Sequence, residues 1–221
     1  MTAIDFETAR RNMVEYQIRC CKVLDPVVLD TIEALPRERF VPADVQSLAY
    51  MEGKVPLPCG QEMFSPLHEA TILQALELQG NERVLEVGAG AGFMTTLIAT
   101  HAKEVLSFEI HQELADLASN NLDLHGIDNA KIICANAMEN GALDDTGQFD
   151  AIVLGAALDE IPENFRQHLN PYGKLIAFTG HNPLVTLVCM DSVGGAWRST
   201  TLLDTLLDDM EGLTAKREFV F

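Results

Sequence analysis

Val84-Leu85-Glu86-Val87-Gly88-Ala89-Gly90-Ala91-Gly92-Phe93 is the stretch on which the fold turns. A short apolar run ends in three glycines at alternate positions, and FMTTLIATHA (93–102) then reads as a helix. Glycines at a strand-to-helix turn let backbone N–H groups approach a ligand that side chains would exclude. A dinucleotide fingerprint, G-x-G-x-x-G, needs glycine at position 93, where this chain has phenylalanine. The observed G-x-G-x-G favours a smaller ligand and demotes a dehydrogenase. The next apolar run, EVLSFEI (104–110), carries Glu109, 21 residues after Gly88, at its carboxyl end. An acid there can accept both hydroxyls of a ribose. Glu86 adds a second negative charge beside the turn, and two acids suit a cationic ligand better than a phosphate.

Outward from that turn, helix and strand alternate. LHEATILQALEL (67–78) reads as a helix, RVLEVG (83–88) as a strand, QELADLASNNLDLHG (112–126) as a helix and KIICAN (131–136) as a strand. FDAIVLG (149–155) is a strand, IPENFRQHLNPYG (161–173) a helix with its stop, and KLIAFTG (174–180) a strand. Apolar runs this short between helices are strands buried on both faces, so the expected fold is α/β: a doubly wound, mainly parallel sheet. LVTLVCMD (184–191), WRSTTLLDTLLD (197–208) and KREFVF (216–221) read as strands and connectors of an antiparallel edge. Before residue 53, Pro26, Pro36 and Pro42 break the chain into short amphipathic helices, one of them starting at Asp25 with Val28, Leu29, Ile32 and Leu35 on one face. The connector GKVPLPCGQEMFSP (53–66) shows no periodicity. The expected organisation is an N-terminal helical cap with an acceptor loop over 1–66 and a ligand-binding α/β core over 67–221, folded as one domain.

The chain of 221 residues carries 33 acidic and 15 basic residues, a formal net charge of −18. That balance repels nucleic-acid phosphates and anionic lipid, and the densest basic window holds only Arg10, Arg11, Arg19 and Lys22. Five cysteines (Cys20, Cys21, Cys59, Cys134, Cys189) form no C-x-x-C pair, so neither a disulfide framework nor a metal site is expected. The first residues, MTAIDFETARRNM, lack the apolar run of a signal peptide, and no stretch reaches the roughly 18 apolar residues of a membrane span. A cytoplasmic protein is expected. The six histidines are scattered, and most read as helix-surface or loop residues, not catalysts.

The turn and its acid resemble the first motif of class I, Rossmann-like methyltransferases that use S-adenosylmethionine. A longer resemblance points to one family. Met13-Val14, Gln17-Ile18, Leu35-Pro36-Arg37-Glu38, Phe40-Val41-Pro42, Ala49-Tyr50, Gly60-Gln61, Pro66, Phe149-Asp150-Ala151-Ile152-Val153, Glu160-Ile161-Pro162 and Gly173 resemble the protein-L-isoaspartate (D-aspartate) O-methyltransferases. The resemblance implies methyl transfer from S-adenosylmethionine to the isoaspartyl carboxylate of a damaged protein or peptide, the first step of its repair. It assigns Glu86, Gly88, Gly90, Gly92 and Glu109 to the cofactor. Asn136, in Ala135-Asn136-Ala137 where the family has Gly-Asp-Gly, either accepts from the adenine amino group or caps the next helix.

The acceptor loop departs from the family pattern G-Q-T-I-S-Q-P. Here it is Gly60-Gln61-Glu62-Met63-Phe64-Ser65-Pro66, so the family's serine falls on Phe64, and Ser65 serves as the catalytic hydroxyl only if the loop bulges. Cys59 replaces a histidine, Glu62 a threonine, Gly155 a threonine and Val185 a glutamine. These changes suggest a reshaped acceptor pocket that includes Cys59, Gln61 and Phe64. Two alternatives stay open: a methyltransferase acting on a small apolar acceptor in a pocket of Phe64, Met63, Cys59 and Val185, or a non-catalytic S-adenosylmethionine-binding protein.

Overall fold

The computed structural model describes residues 4–193 and 196–212. The N-terminal cap is helical in short pieces, as the prolines dictate. Helix α1 (Phe6–Met13) is capped by Asp5, whose carboxylate accepts from the Thr8 amide and hydroxyl. It runs on through one π turn, Val14–Ile18. Helix α2 (Pro26–Ala34) starts where Asp25 accepts from the Val27 amide at 2.8 Å, and buries Val28, Leu29 and Ile32. The aperiodic connector holds a hairpin, β1 (Val55–Pro56) against β2 (Glu62–Met63). Two-residue strands around a Pro-Cys-Gly turn are too short to show a period of two.

Beyond it lie α3 (Pro66–Leu76), β3 (Arg83–Val87), α4 (Phe93–Ala99), β4 (Glu104–Glu109), α5 (Gln112–Leu124), β5 (Ala130–Cys134), β6 (Phe149–Leu158), α6 (Glu163–Gln167), β7 (Leu169–His181), β8 (Leu184–Val193) and β9 (Ala196–Thr205). The sheet order is β5-β4-β3-β6-β7-β8-β9, with β3 to β7 parallel and β8 and β9 antiparallel to their neighbours. The expected doubly wound sheet and its antiparallel edge are both present, while KREFVF lies outside the described residues. One expectation fails: α6 is five residues long, and Leu169 to Gly173 belong to β7, not to a helix. Leu169 pairs with Phe149, Tyr172 takes a φ of 69°, and a Cβ on Gly173 would stand 2.9 Å from the Asp150 carbonyl. The strand is bulged there, and its Asn-Pro-Tyr-Gly sequence imitates a helix stop.

Alternate strand residues enter two cores. Val84, Val105, Val153 and Ile176 pack with Met13, Ile18 and Phe40 of the cap and with Leu97 of α4. Leu85, Leu106, Ile152 and Leu175 pack with Leu143 and with Phe165 of α6 on the opposite face. The chain winds from β3 toward β5 on the first face and from β6 toward β7 on the second. Their carboxyl ends therefore diverge between β3 and β6, the place where doubly wound sheets hold ligands.

The glycine turn is held from behind by Glu86, which is 2 % exposed. Its carboxylate accepts from Thr95 Oγ1 on α4 and from Ser107 Oγ on β4, the latter at 2.6 Å. One acid thus ties the first strand to the helix after the turn and to the second strand. Burial raises its pKa to about 7, against the lowering effect of the two hydroxyls. Gly92 closes the turn at φ 81°, and a Cβ there would meet the Ala118 backbone of α5 at 3.1 Å.

Gly92→Ala should cost about 2–4 kcal/mol, from a left-handed backbone plus displacement of α5; urea unfolding measures it, and a loss below 1 kcal/mol would contradict the packing. For Glu86 the sign follows from a raised folded pKa. The folded state holds the proton more tightly than the unfolded chain, so this contribution is complete below the ordinary value of 4.5 and is lost as pH rises toward 7. Between pH 5 and pH 8 the wild type should lose about 3 kcal/mol relative to Glu86→Gln, which keeps an acceptor for both hydroxyls. Parallel pH profiles for the two proteins would refute the assignment.

Candidate active site

A cleft opens at the carboxyl ends of β3 and β6, with about 1020 Å³ of empty space including its mouth. Its floor is backbone. Val87 to Ala91 form one side, and Gly155 and Ala156 the other. Gly88 and Gly90 line it at φ 97° and 54°, a conformation that leaves no Cβ over the floor, while their amides donate to the Phe108 carbonyl and to Glu109.

Glu109 ends β4 at the cleft wall and is 5 % exposed. Its Oε2 accepts from the Gly90 amide at 2.9 Å and its Oε1 from the His111 amide at 3.0 Å. A carboxylate offers about four lone-pair sites, so two remain for the hydroxyls of a ribose. Asn136 lines the same end, but both of its polar atoms are engaged. Oδ1 accepts from the Met138 amide at 2.9 Å, and Nδ2 donates to the Gly212 carbonyl at 3.0 Å. No helix follows Asn136: its Oδ1 caps a turn and keeps a second lone pair toward the cleft. Glu86 and Gly92, expected among the cofactor residues, do not line the cleft. One is consumed by Thr95 and Ser107 and the other by close approach of α5, so both shape the turn from behind it.

The acceptor loop forms the facing wall through Leu57, Gln61, Glu62, Met63 and Phe64. Phe64 turns its ring into the cleft and packs on Phe178 and His68, with centroids at 5.4 and 5.9 Å. A Cβ on Gly155 would lie 3.6 Å from Phe64 Cζ and 2.8 Å from the Val87 carbonyl. The ring therefore lies over a glycine that could not carry the family's threonine. Ser65 does not line the cleft: its hydroxyl accepts from the His68 amide at 3.3 Å and caps α3. Cys59 is also outside, exposed at φ 60° with its thiol toward Glu113. Val185 is fully buried in the core, on β8 opposite Gly180. Of the expected apolar pocket, Phe64 and Met63 line the cleft; Cys59 and Val185 do not.

Several site residues escaped sequence reading. Arg37, 1 % exposed, donates from Nε to the Ala49 carbonyl at 2.7 Å, from Nη1 to Glu69 and from Nη2 to the Phe64 carbonyl, with its guanidinium over Phe93. It joins the cap, the acceptor loop, α3 and the helix after the glycine turn. Glu69 lines the cleft, and burial raises its pKa to about 7 although Arg37 opposes the shift. Lys54 lines the cleft beside Glu62, with which it is ion-paired, and stands 4.0 Å from Asp208. His68 is no surface histidine. It is buried, donates to or accepts from Thr205 Oγ1 at 2.7 Å, and burial lowers its pKa to about 4, with Lys54 adding to the effect. The largest omission is residues 207–211, which leave β9 and line the cleft. Their backbone is fixed at Ala157, which donates to the Asp208 carbonyl at 3.0 Å and accepts from the Met210 amide at 2.7 Å. The acidic run Asp208-Asp209-Met210-Glu211 was the available signal, but nothing local in it marks a wall of a cleft built 120 residues earlier.

The sequence matches the family described as protein-L-isoaspartate(D-aspartate) O-methyltransferase over residues 8–200. Similar proteins include the protein-L-isoaspartate O-methyltransferases of Bradyrhizobium sp., 35 % identical over 88 % of this chain and 90 % of that one, and of Koribacter versatilis, 32 % identical over 90 % and 89 %. In fold it is similar to a protein-L-isoaspartate O-methyltransferase from Plasmodium falciparum solved with S-adenosyl-L-homocysteine (TM-score 0.76, 22 % identity, 95 % of this chain and 99 % of that one). A second solved protein-L-isoaspartate O-methyltransferase superposes with a TM-score of 0.77 at 19 % identity, over 92 % of this chain and 66 % of that one. With a glycine-floored cleft at the switch point, Glu109 on its wall and this match over most of its length, the chain belongs to the protein-L-isoaspartate(D-aspartate) O-methyltransferase family of S-adenosylmethionine-dependent enzymes.

Proposed function

We propose that the protein transfers the methyl group of S-adenosylmethionine to isoaspartyl carboxylates of proteins or peptides, in the cleft between Gly88 and the acceptor loop. The observation that carries this is Glu109: a nearly buried acid, held by two backbone amides, with lone pairs left over inside a glycine-floored cleft. The donor set fits the cofactor. Glu109 would hold the ribose, Gly88 and Gly90 admit the chain close to the floor, and the Ala135–Met138 turn bounds the adenine end. When bound, S-adenosylmethionine supplies an activated methyl on a sulfonium, so no strong base is needed from the protein.

The chain's own task is alignment and exclusion of water. Arg37 fixes the Phe64 carbonyl and so the loop that faces the methyl donor, and the strap at 207–211 closes the opposite side. Lys54 is the lysine or arginine that lines the cleft among the described residues, and it is the cation available to an acceptor carboxylate. Glu62 competes for it, which tunes the site toward acceptors able to displace that carboxylate. Five thiols free among the described residues support a reducing, cytoplasmic setting, and no helix among those residues is long and apolar enough to cross a membrane.

A second reading is favoured by Phe64 itself. Its ring takes the acceptor end and packs on Phe178, which suits a smaller or more apolar acceptor in the same cleft.

Methyl-labelled S-adenosylmethionine with an isoaspartyl peptide should give a base-labile methyl ester, and Glu109→Ala should weaken cofactor affinity by about 10- to 100-fold, the range for losing charge-assisted hydrogen bonds. Cofactor binding without ester would end the isoaspartyl reading. Phe64→Ser should raise the rate of ester formation by about tenfold or more by clearing room at the acceptor end; no gain, with the protein still folded and binding cofactor, would favour the second reading.

A further inference from the structure

Residues 207–211 are held to the cleft by more than their own backbone. Glu211 reaches both sides of the opening. Its Oε1 accepts from Gln61 Nε2 of the acceptor loop at 2.7 Å. Its Oε2 lies 3.0 Å from His111 Nε2, off hydrogen-bond geometry, a contact that is an ion pair only when the imidazole is protonated. His111 in turn gives its amide to Glu109, so Glu211 is one residue removed from the acid at the ribose end. On the next residue the Gly212 carbonyl accepts from Asn136 Nδ2 at 3.0 Å. Leu207 is buried at the near end of the segment and Met210 packs against the second core. The segment is therefore anchored apolarly along its length and clasped polarly at its far end, over the residues that face a bound nucleoside.

We propose that Glu211 is a positioning residue for methyl transfer. By holding Gln61 and His111 together it keeps the 207–211 wall closed over the cleft and sets the rate at which the nucleoside product leaves. The inference rests on the reading of this cleft as the S-adenosylmethionine site. It assigns a role to an acid that touches neither the glycine turn nor the methyl acceptor. Because Glu211 is half exposed, each of its contacts is weakened by water, and the effect is modest in size but placed at the exit. Lids of this kind often limit turnover through product release, so a small change in the clasp appears directly in the dissociation rate.

The test is the dissociation rate of S-adenosylhomocysteine from the full chain, measured by stopped flow, with thermal unfolding of the ligand-free protein alongside. Glu211→Ala should speed dissociation by roughly five- to tenfold with no matching fall in Tm. Glu211→Gln keeps an acceptor for Gln61 and loses the charge beside His111, so it should fall between wild type and the alanine variant. Gln61→Ala combined with Glu211→Ala should dissociate at close to the rate of Glu211→Ala alone, since the contact that Gln61→Ala removes is already lost there. Dissociation unchanged in Glu211→Ala, or accelerated only in step with lost Tm, would overturn the clasp while leaving the cofactor site intact. A wild type that binds neither S-adenosylhomocysteine nor S-adenosylmethionine would instead overturn the cofactor reading, and the clasp with it.

Discussion

The hydrogen bond from the Gly90 amide to Glu109 is the constraint on which the site depends. A strand that hands over to a helix through three glycines has little conformational preference of its own, and glycine loses more freedom on folding than any other residue. Two acids supply the missing specification from opposite sides. Glu86 fixes the stem of the turn to α4 and β4 from within the core, and Glu109 fixes its tip from the next strand. With stem and tip pinned, Gly88 is left facing Gly155 across the switch point, and the cleft has a floor made of backbone. The carboxylate that shapes the turn at its tip is the same one that lines the cleft.

That double use explains how far the sequence could be read. The α/β order and the gathering of Gly88, Gly90 and Glu109 at one cleft were legible because strand-turn-helix-strand-acid is a local pattern with fixed spacing. Glu86 was assigned to the cofactor because its position in that pattern suggests it. Which face it takes is decided by the pairing Glu86↔Ser107, and no reading of one strand alone contains that register. Gly92 failed in the same way, since the reason for it is α5, 26 residues further on. Arg37 was visible as part of a family-like Leu-Pro-Arg-Glu run, yet its partners come from Ala49, Phe64 and Glu69, three separate elements. The strap was invisible for the same reason: its partners are Gln61, His111 and Ala157. The α6 boundary was misplaced because a bulged strand start and a helix stop share Asn, Pro and Gly.

The net charge of −18 divides into parts that do different work. Burial raises the pKa of Glu86 and, against the pull of Arg37, that of Glu69; Glu69 is also matched by the Arg37 guanidinium, so the two add less net negative charge to the interior than a count of acids implies. Glu109 remains partly open to the cleft, where negative charge suits a sulfonium. Glu62, Asp208, Asp209 and Glu211 rim the opening and face Lys54 and His111. Acidity at the rim discourages anions in general, so under the proposed function an isoaspartyl carboxylate would have to displace Glu62 from Lys54. The surface charge that argues against nucleic acid thus also raises the selectivity demanded of an anionic acceptor.

The acceptor end is where family membership and local chemistry pull apart, and Arg37 shows why the divergence is tolerated. The contact that fixes the acceptor loop is made to a backbone carbonyl, that of Phe64, and not to the side chain. Any residue at position 64 would leave that hydrogen bond in place, so the loop can keep its path while its side chains change. Gly155 then accommodates the larger ring from across the cleft, and Ser65 is free to cap α3. The path of the acceptor loop and the chemistry it presents are consequently held by different atoms. A site built this way can exchange its acceptor chemistry by one or two substitutions without disturbing the turn, the acid or the buried arginine that define the methyl-donor side.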